Sequence, residues 1–421
     1  MDSPLLIPEV LLGIFDFLEL EQDRSTLALA CRVSKTWCAY ATEVLWRTAP
    51  CQALAGIADD RAQLYASKVT MLEFTGSSEA RYHYHWWDLQ FIRLRHLCLD
   101  SYRAPSGGPY PMQQYLHASL QTLEFYGGDL AASVLTGLLT NCPRLRDILI
   151  ESPGSYITPR MFLSFIKDCK SLERVTFVYG MDHLVTDELF LHLARRPNLT
   201  HLTLGRHVPT AVYDQLVSES SHAPALAALR FLQVPISSEA VPLLAPMINK
   251  VTSLGLDLRD GRPDFLHHLS SLTDLSELML EFAINMTLPS AELMCLRSHP
   301  KLHTLRLRLS PDILAPRMWD IPDAVFENSI AKLSQLRILA FEVPSSLSAR
   351  ALKTLAREHP LLEELSFLQP FHFPHLDLGS HPGVLFPKLR MLEVGGFYSH
   401  FPFTSDEWVS RFHLRAFICS P

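Results

Sequence analysis

The chain has 421 residues, 48% of them hydrophobic, with 37 basic side chains against 44 acidic ones and a formal net charge of −7. That balance argues against a nucleic-acid binder, which needs a basic face to displace phosphate counterions. The apolar start is broken by Glu9, Asp16 and Glu19 and has no Lys or Arg before Arg24, so it fits no secretory leader, and no membrane span is predicted.

In chain order, the spacing predicts a first helix from Pro8, a residue suited to the first helical position, with Glu9 at the positive end of the dipole. Val10, Leu11, Ile14, Phe15 and Leu18 form one broad apolar stripe along it. Ser25 is expected to cap a second helix through Leu27, Leu29 and Ala30. Ser34 is expected to cap a third, with Trp37, Ala41, Val44 and Leu45 on one face. Three short helices make a weak core on their own, so their apolar surface must pack on the rest of the chain, on another protein, or on both.

The residues Ile7-Pro8-Glu9-Val10-Leu11-Leu12-Gly13-Ile14-Phe15-Asp16-Phe17-Leu18, then Leu27 to Trp37 with Cys31-Arg32, then Leu45-Trp46-Arg47, resemble an F-box. Ile7 replaces the usual Leu, and the step from Arg32 to Trp37 is longer than the commonest form; both changes keep an apolar anchor. The resemblance implies a module over residues 1–50 that binds the Skp-type adaptor of cullin–RING ubiquitin ligases. Carried over by position, Pro8, Leu11, Ile14, Phe15, Leu18 and Trp37 would be its adaptor-binding residues. The same helices could instead be a private end cap for the remainder of the chain.

From residue 69 onward, apolar residues at offsets 0, 3 and 5 recur, most clearly at Leu94-Leu97-Leu99, Leu145-Ile148-Ile150, Leu199-Leu202-Leu204, Leu302-Leu305-Leu307 and Leu362-Leu365-Phe367. The first anchors fall at 69, 94, 120, 145, 172, 199, 229, 251, 275, 302, 336, 362, 389 and 414, a mean period of about 26.5 residues. A proline stands two residues before the first anchor at Pro143, Pro197, Pro300, Pro360 and Pro387, where a helix must end before a strand begins. The last two anchors alternate with exposed positions as in a half-buried strand. Helical spacing lies between units, as at Leu189, Leu193 and Ala194.

This pattern is similar to the leucine-rich-repeat family. The expected fold class is therefore α/β: a three-helix F-box, then over residues 51–421 an irregular leucine-rich-repeat solenoid of about fourteen repeats. Parallel strands would line the concave face and helices the convex face. The Asn or Cys of the family consensus is missing three residues after the last anchor, where Pro153 and His207 stand, so the backbone ladder must be satisfied otherwise. Residues 76–88, 101–114, 310–330 and 369–387 read as loops or interruptions, the last with His372, His375 and His381. The tail from Phe412 to Cys419 reads as a final half-repeat or as a segment folded back into the groove.

Enzyme signatures are absent, and no cofactor or metal is expected. His83-x-His85 with Asp88 could present ligands from one side of a strand, although an exposed aromatic-rich loop is the simpler reading. Eight separated cysteines without a C-x-x-C pair suit reduced thiols and a cytoplasmic and/or nuclear location. After the last anchor of successive strands stand Asp100, Tyr126, Glu151, Asp257, Glu281, Arg308 and Glu342. They are either ordinary cross-strand charge pairs or a target-binding strip for an unknown protein. The functional expectation is a non-catalytic substrate receptor of a Skp–cullin–F-box ubiquitin ligase; the alternative is a repeat scaffold acting outside ubiquitination.

Overall fold

A computed structural model describes residues 7–48, 50–102, 112–219, 225–284, 286–310, 313, 319–368, 386–395 and 416–420. The chain divides into two compact units, Met1–Leu189 and Phe190–Pro421.

The first unit opens with helices α1 (Pro8–Leu20), α2 (Arg24–Ala30) and α3 (Lys35–Leu45), followed by α4 (Cys51–Ala55) and α5 (Asp59–Ala66). Strand β1 (Met71–Phe74), helix α6 (Ala80–His85), β2 (His96–Tyr102), β3 (Thr122–Gly128), α7 (Ala132–Asn141), β4 (Asp147–Glu151), α8 (Pro159–Asp168) and β5 (Arg174–Phe177) complete it. Its strands pair in parallel, each with its sequence neighbour. Helix α9 (Asp187–Ala194) spans the division.

The second unit continues with β6 (His201–Leu204), α10 (Thr210–Glu219), β7 (Phe231–Ile236), α11 (Val241–Leu244), β8 (Ser253–Leu258) and β9 (Glu277–Phe282). Then come α12 (Ser290–Met294), β10 (Thr304–Leu309), α13 (Asp323–Ile330), β11 (Ile338–Glu342), α14 (Ala349–Glu358), β12 (Glu364–Phe367), β13 (Met391–Gly395) and β14 (Ala416–Ser420). These strands are again parallel and paired in sequence order. The pairing of β14 with β13 makes the tail strand a final half-repeat, while residues 412–415 lie outside the described residues.

Every strand begins two residues after an expected first anchor. The anchors fill the core: Leu72, Phe74, Leu97, Leu99, Leu123, Phe125, Ile148, Ile150, Val175 and Phe177 in the first unit are all buried, and Leu305, Leu307, Leu339 and Leu365 do the same in the second. Helices cover that face, and the alternate side chains occupy the open face of each sheet.

A backbone device replaces the missing polar ladder. At most strands, the carbonyl just before the strand accepts two consecutive amides of the next repeat. Thr70 O takes Arg95 N and His96 N at 2.8 and 3.1 Å; Arg95 O takes Gln121 N and Thr122 N; Gln121 O takes Arg146 N and Asp147 N. The second unit repeats it from Thr200 O through Arg230, Thr252, Ser276, His303 and Arg337 to Glu363 O, which takes Arg390 N and Met391 N. Past the strands, Gly128 N donates to Ser152 O and Ser152 N to Tyr179 O, and His207 Nε2 meets Ser237 Oγ at 3.0 Å.

The residue before the proline is buried at His299 and His359, and its Nδ1–H donates to Leu272 O and Leu333 O of the preceding repeat. Some sequence expectations are corrected. Residues 76–88 contain a 3-10 turn and α6 rather than an open loop, because His83 and Trp86 are fully buried with Phe74, Phe91 and Tyr115. Residues 323–330 are the repeat helix α13 rather than part of an insertion, and Trp319 is buried with its Nε1–H donating to Met286 O. Helix α2 is capped by Asp23, whose carboxylate accepts from Thr26 N at 3.0 Å; Ser25 only donates to Asp23. Ser34 caps α3 as expected. Residues 103–111, 314–318 and 369–385, with His372, His375 and His381, lie outside the described residues.

Burial holds His83 at a pKa of about 3 and lowers His299 and His359 below the ordinary imidazole value. Because the folded pKa is depressed, their stabilising contribution is present above the unfolded value near 6.5 and is lost as pH falls below it. Each should cost about 1.4 kcal/mol per pH unit until its folded pKa is reached. Urea denaturation should therefore show a lower midpoint at pH 5.5 than at pH 7.5, and His299→Gln should flatten that dependence. An unchanged midpoint would contradict the assignment.

Candidate functional site

The N-terminal module packs Leu11, Phe15, Leu27, Ala30, Ala41 and Val44 into a small core, with Leu18 and Trp37 half-buried against it. Phe15 and Trp37 meet edge to face at 5.6 Å. Leu11 and Phe15 of the expected adaptor-binding set are buried in this core, at 0% and 1% exposure. Pro8 and Ile14 of the expected set are exposed.

Helix α1 is apolar on a second face as well. Ile7, Val10, Ile14 and Phe17 succeed one another at steps of three, four and three and stay exposed, Phe17 at 60%. Leu20 at its end, and Leu29 and Val33 at the end of α2, are also exposed. Contiguous exposed apolar residues of this kind mark interaction surfaces. The sequence already contained these residues; reading the stripe as one broad face hid the division into an inward and an outward half.

The module is joined to the first repeat by the same double hydrogen bond that joins repeats. Arg47 O, just past α3, accepts Thr70 N and Met71 N, both at 2.9 Å. The Arg47 side chain turns back to Asp16 at 2.5 Å and Glu19 at 3.4 Å. Arg24 donates to Thr48 O, Lys68 to Thr42 Oγ1, and Trp46 packs on Tyr65 at 4.5 Å. Glu43 and Arg93 form a further ion pair.

On the open sheet faces, the seven expected target-binding residues fall into two groups, one per unit. Asp100, Tyr126 and Glu151 are cross-strand neighbours in the first. Beside them runs Glu73, Cys98, Glu124, Leu149 and Thr176. Neither row contains a Lys or Arg. Burial and the Asp100 charge push the Glu151 carboxyl up. Burial, then Glu124, Glu73 and Asp100, push the Cys98 thiol up to about 12. Tyr126 donates to Glu124 at 3.0 Å, and its phenol is likewise raised, first by burial and then by Glu124.

In the second unit Asp257, Glu281, Arg308 and Glu342 are in register, and both signs of charge occur along the row. Arg308 pairs with Glu342 at 2.9 Å, Arg259 with Asp257 at 2.5 Å, and Arg306 lies 3.7 Å from Glu364. Cross-strand ion pairs occur in the first unit as well, where Arg174 pairs with Asp147.

A cavity of about 420 Å³ lies at the carboxyl ends of β3, β4 and β5, lined by Gly128, Asp129, Ser152, Gly154 and Gly180. Gly154 has φ +75°, and a Cβ there would sit 2.6 Å from Asp129 Oδ1 and 2.8 Å from Gly128 O. At Gly180 (φ +69°) a Cβ would meet Ser152 Oγ at 2.7 Å. Glycine at both positions allows the close approach of neighbouring repeats beside the cavity. The recurrence of glycine at or just past the ends of three successive strands was visible in the sequence.

His83, His85 and Asp88 do not converge: His83 is buried and bonded to Tyr115 OH at 3.0 Å, whereas His85 and Asp88 are exposed. They lie on and after helix α6, not on a strand. Among the described residues, no group of three or more His, Cys, Asp or Glu could hold a metal ion, and no helix is long and apolar enough to cross a membrane.

No family model matches the chain, and no curated protein matches it significantly. Several solved structures are similar at low identity. The complex of Rad7 and Elc1 from yeast matches with 14% identity over 93% of this chain and 96% of that one, at a TM-score of 0.49. An internalin from Listeria monocytogenes matches with 14% identity over 82% and 87% of the two chains, at 0.43. A leucine-rich-repeat protein of Leptospira interrogans matches with 15% identity over 86% and 91%, at 0.38.

Replacing Gly154 by Ala should cost on the order of 1–2 kcal/mol from backbone conformation alone, and more because Gly128 O must move. Gly76→Ala, at φ +86° with open space around it, should incur only the conformational part. Urea denaturation of the two variants compares them; equal losses would contradict the close approach at the cavity.

Proposed function

We propose that the chain is the substrate-recognition subunit of a Skp–cullin–F-box ubiquitin ligase, acting in the cytoplasm and/or nucleus. The carrying observation is the exposed stripe Ile7, Val10, Ile14 and Phe17 on α1 of a three-helix module whose sequence resembles an F-box. A small module that has already filled its own core and still presents this much apolar surface fits a standing partner better than solvent. The partner implied by the resemblance is a Skp-type adaptor, and through it a cullin–RING ligase.

The mechanism is proximity. The adaptor would hold the helical end, and the repeat sheets would hold an unknown protein target near the ubiquitin-charged enzyme. The chain would contribute effective concentration and orientation rather than bond-making residues. The rung at Arg47 O supports this reading, because it gives the target surface of the first unit a defined position relative to the docking helices. The same rung also favours a second reading, in which the module is an end cap and the chain is a repeat scaffold acting outside ubiquitination.

Co-expression with a Skp-type adaptor and size-exclusion chromatography separates the two. The wild type should elute as a one-to-one complex, whereas Ile14→Asp/Phe17→Asp should elute as a folded monomer, since both side chains are already exposed. Phe15→Asp should instead unfold the module by burying an unpaired charge. A double variant that still copurifies, or a wild type that never does, would rule out docking through this face.

A further inference from the structure

Two thiols of the helical module meet across the turn between α2 and α3. Cys31 closes the carboxyl end of α2, and its Sγ–H donates to Leu27 O at 3.4 Å. Cys38 lies in the opening turns of α3, where its amide donates to Ser34 O at 2.8 Å. The link between them is short and held by hydrogen bonds: Arg32 N donates to Leu29 O, Val33 N to Ala30 O, and Ser34 Oγ accepts from Trp37 N. This turn folds α3 back on α2 and brings the Cys38 side chain within hydrogen-bonding reach of Cys31. Both thiols are free and half-buried, so a small reagent can reach them. The other described cysteines lack either the sulfur neighbour or the access. Cys51 is buried with its thiol on Glu73 O, and Cys295 bonds to Ala291 O. Cys98 is flanked by carboxylates, and Cys142 and Cys169 neighbour each other but are only 3% and 7% exposed.

We propose that Cys31 and Cys38 form an oxidative modification site, a thiol pair that hydrogen peroxide closes to a disulfide clipping α2 to α3. In the first step the Cys38 thiolate attacks one peroxide oxygen. An S–O bond forms as the O–O bond breaks, and the departing hydroxide takes up a proton, leaving water and a sulfenic acid. Cys31 then attacks that sulfur. The S–S bond forms as the S–O bond breaks, and the departing hydroxide combines with the Cys31 proton as a second water. Two thiols and one peroxide thus give one disulfide and two waters, and a dithiol reductant restores the pair. Burial, then the neighbouring Cys38, push the Cys31 thiol above its ordinary value, which suits it to the second, resolving attack on a sulfur already beside it. The Lys68 ammonium stands close by, donating to Thr42 Oγ1, which donates to Cys38 O at 2.7 Å. Cys31 lies between the exposed Leu29 and Val33, so the clip would fix the outward end of α2 against α3 and restrict opening of the small module.

The proposal goes beyond the receptor reading and does not rest on it, since no step involves an adaptor or a target. Its test uses the full-length chain alone, reduced, freed of reductant and exposed to hydrogen peroxide. Remaining thiols are blocked with N-ethylmaleimide, and the protein is digested with trypsin without reduction. The tryptic peptides Ser25–Arg32 and Thr36–Arg47 should appear joined, two hydrogens lighter than their sum, and should separate again with dithiothreitol. The link should form about tenfold or more faster than Cys295, a half-buried thiol elsewhere, loses its maleimide label. In Cys31→Ser, dimedone should tag Cys38 as the stranded sulfenic acid. Hydrogen–deuterium exchange in peptides covering residues 24–45 should slow several-fold in the linked protein relative to the reduced one. Cys31 and Cys38 that stay free while Cys295 oxidises, a link from either to another cysteine in preference, or unchanged exchange in the linked protein would overturn the proposal.

Discussion

One carbonyl oxygen per repeat, accepting two consecutive amides from the next, sets the geometry on which everything else is built. It fixes where each strand starts, so the next two anchors always point into the core and the side chains between them always face outward. Buried backbone groups must be paired, and here the pairing is made without the polar side chains that usually supply it. A repeat can then vary its loop freely as long as the rung and the anchors stay. The unit between β10 and β11 does so: its rung at His303 O is kept while Trp319 is drawn into the core.

Because the first rung belongs to Arg47, the helical module is built as the start of the repeat stack rather than as a tethered appendage. Its inward face forms its own core, its last residues join the sheet, and its outward face on α1 stays apolar and uncovered. The sheets in turn divide the labour chemically. In the second unit arginines sit among the carboxylates and neutralise them within the fold; in the first unit the two carboxylate rows carry no Lys or Arg, and a glycine-walled cavity opens beside them.

Strand positions were legible because two independent periodicities, the anchors and the prolines, point to the same residues. The role of the residue before the proline was not, since nothing in His299-Pro300 or His359-Pro360 announces a buried imidazole that donates to the previous repeat. Apolar spacing on α1 identified a helix but not its two faces: Leu11 and Phe15 differ from Ile14 and Phe17 only by about a third of a turn. Asp23 displaced Ser25 as the cap because its carboxylate reaches the Thr26 amide and is further held by both hydroxyls. His83 failed as a ligand candidate because an aromatic core claimed it, a tertiary fact with no local signature.

On the proposed function, an adaptor docks on the uncovered face of α1 while the repeats remain available. Hydrogen–deuterium exchange of the full chain, with and without a purified Skp-type adaptor, tests it most directly. Adaptor binding should add protection in peptides covering residues 7–20 and 29–38 and leave the amides of β1 to β4 unchanged. Absence of protection in the helices, or protection confined to the strands, would contradict it.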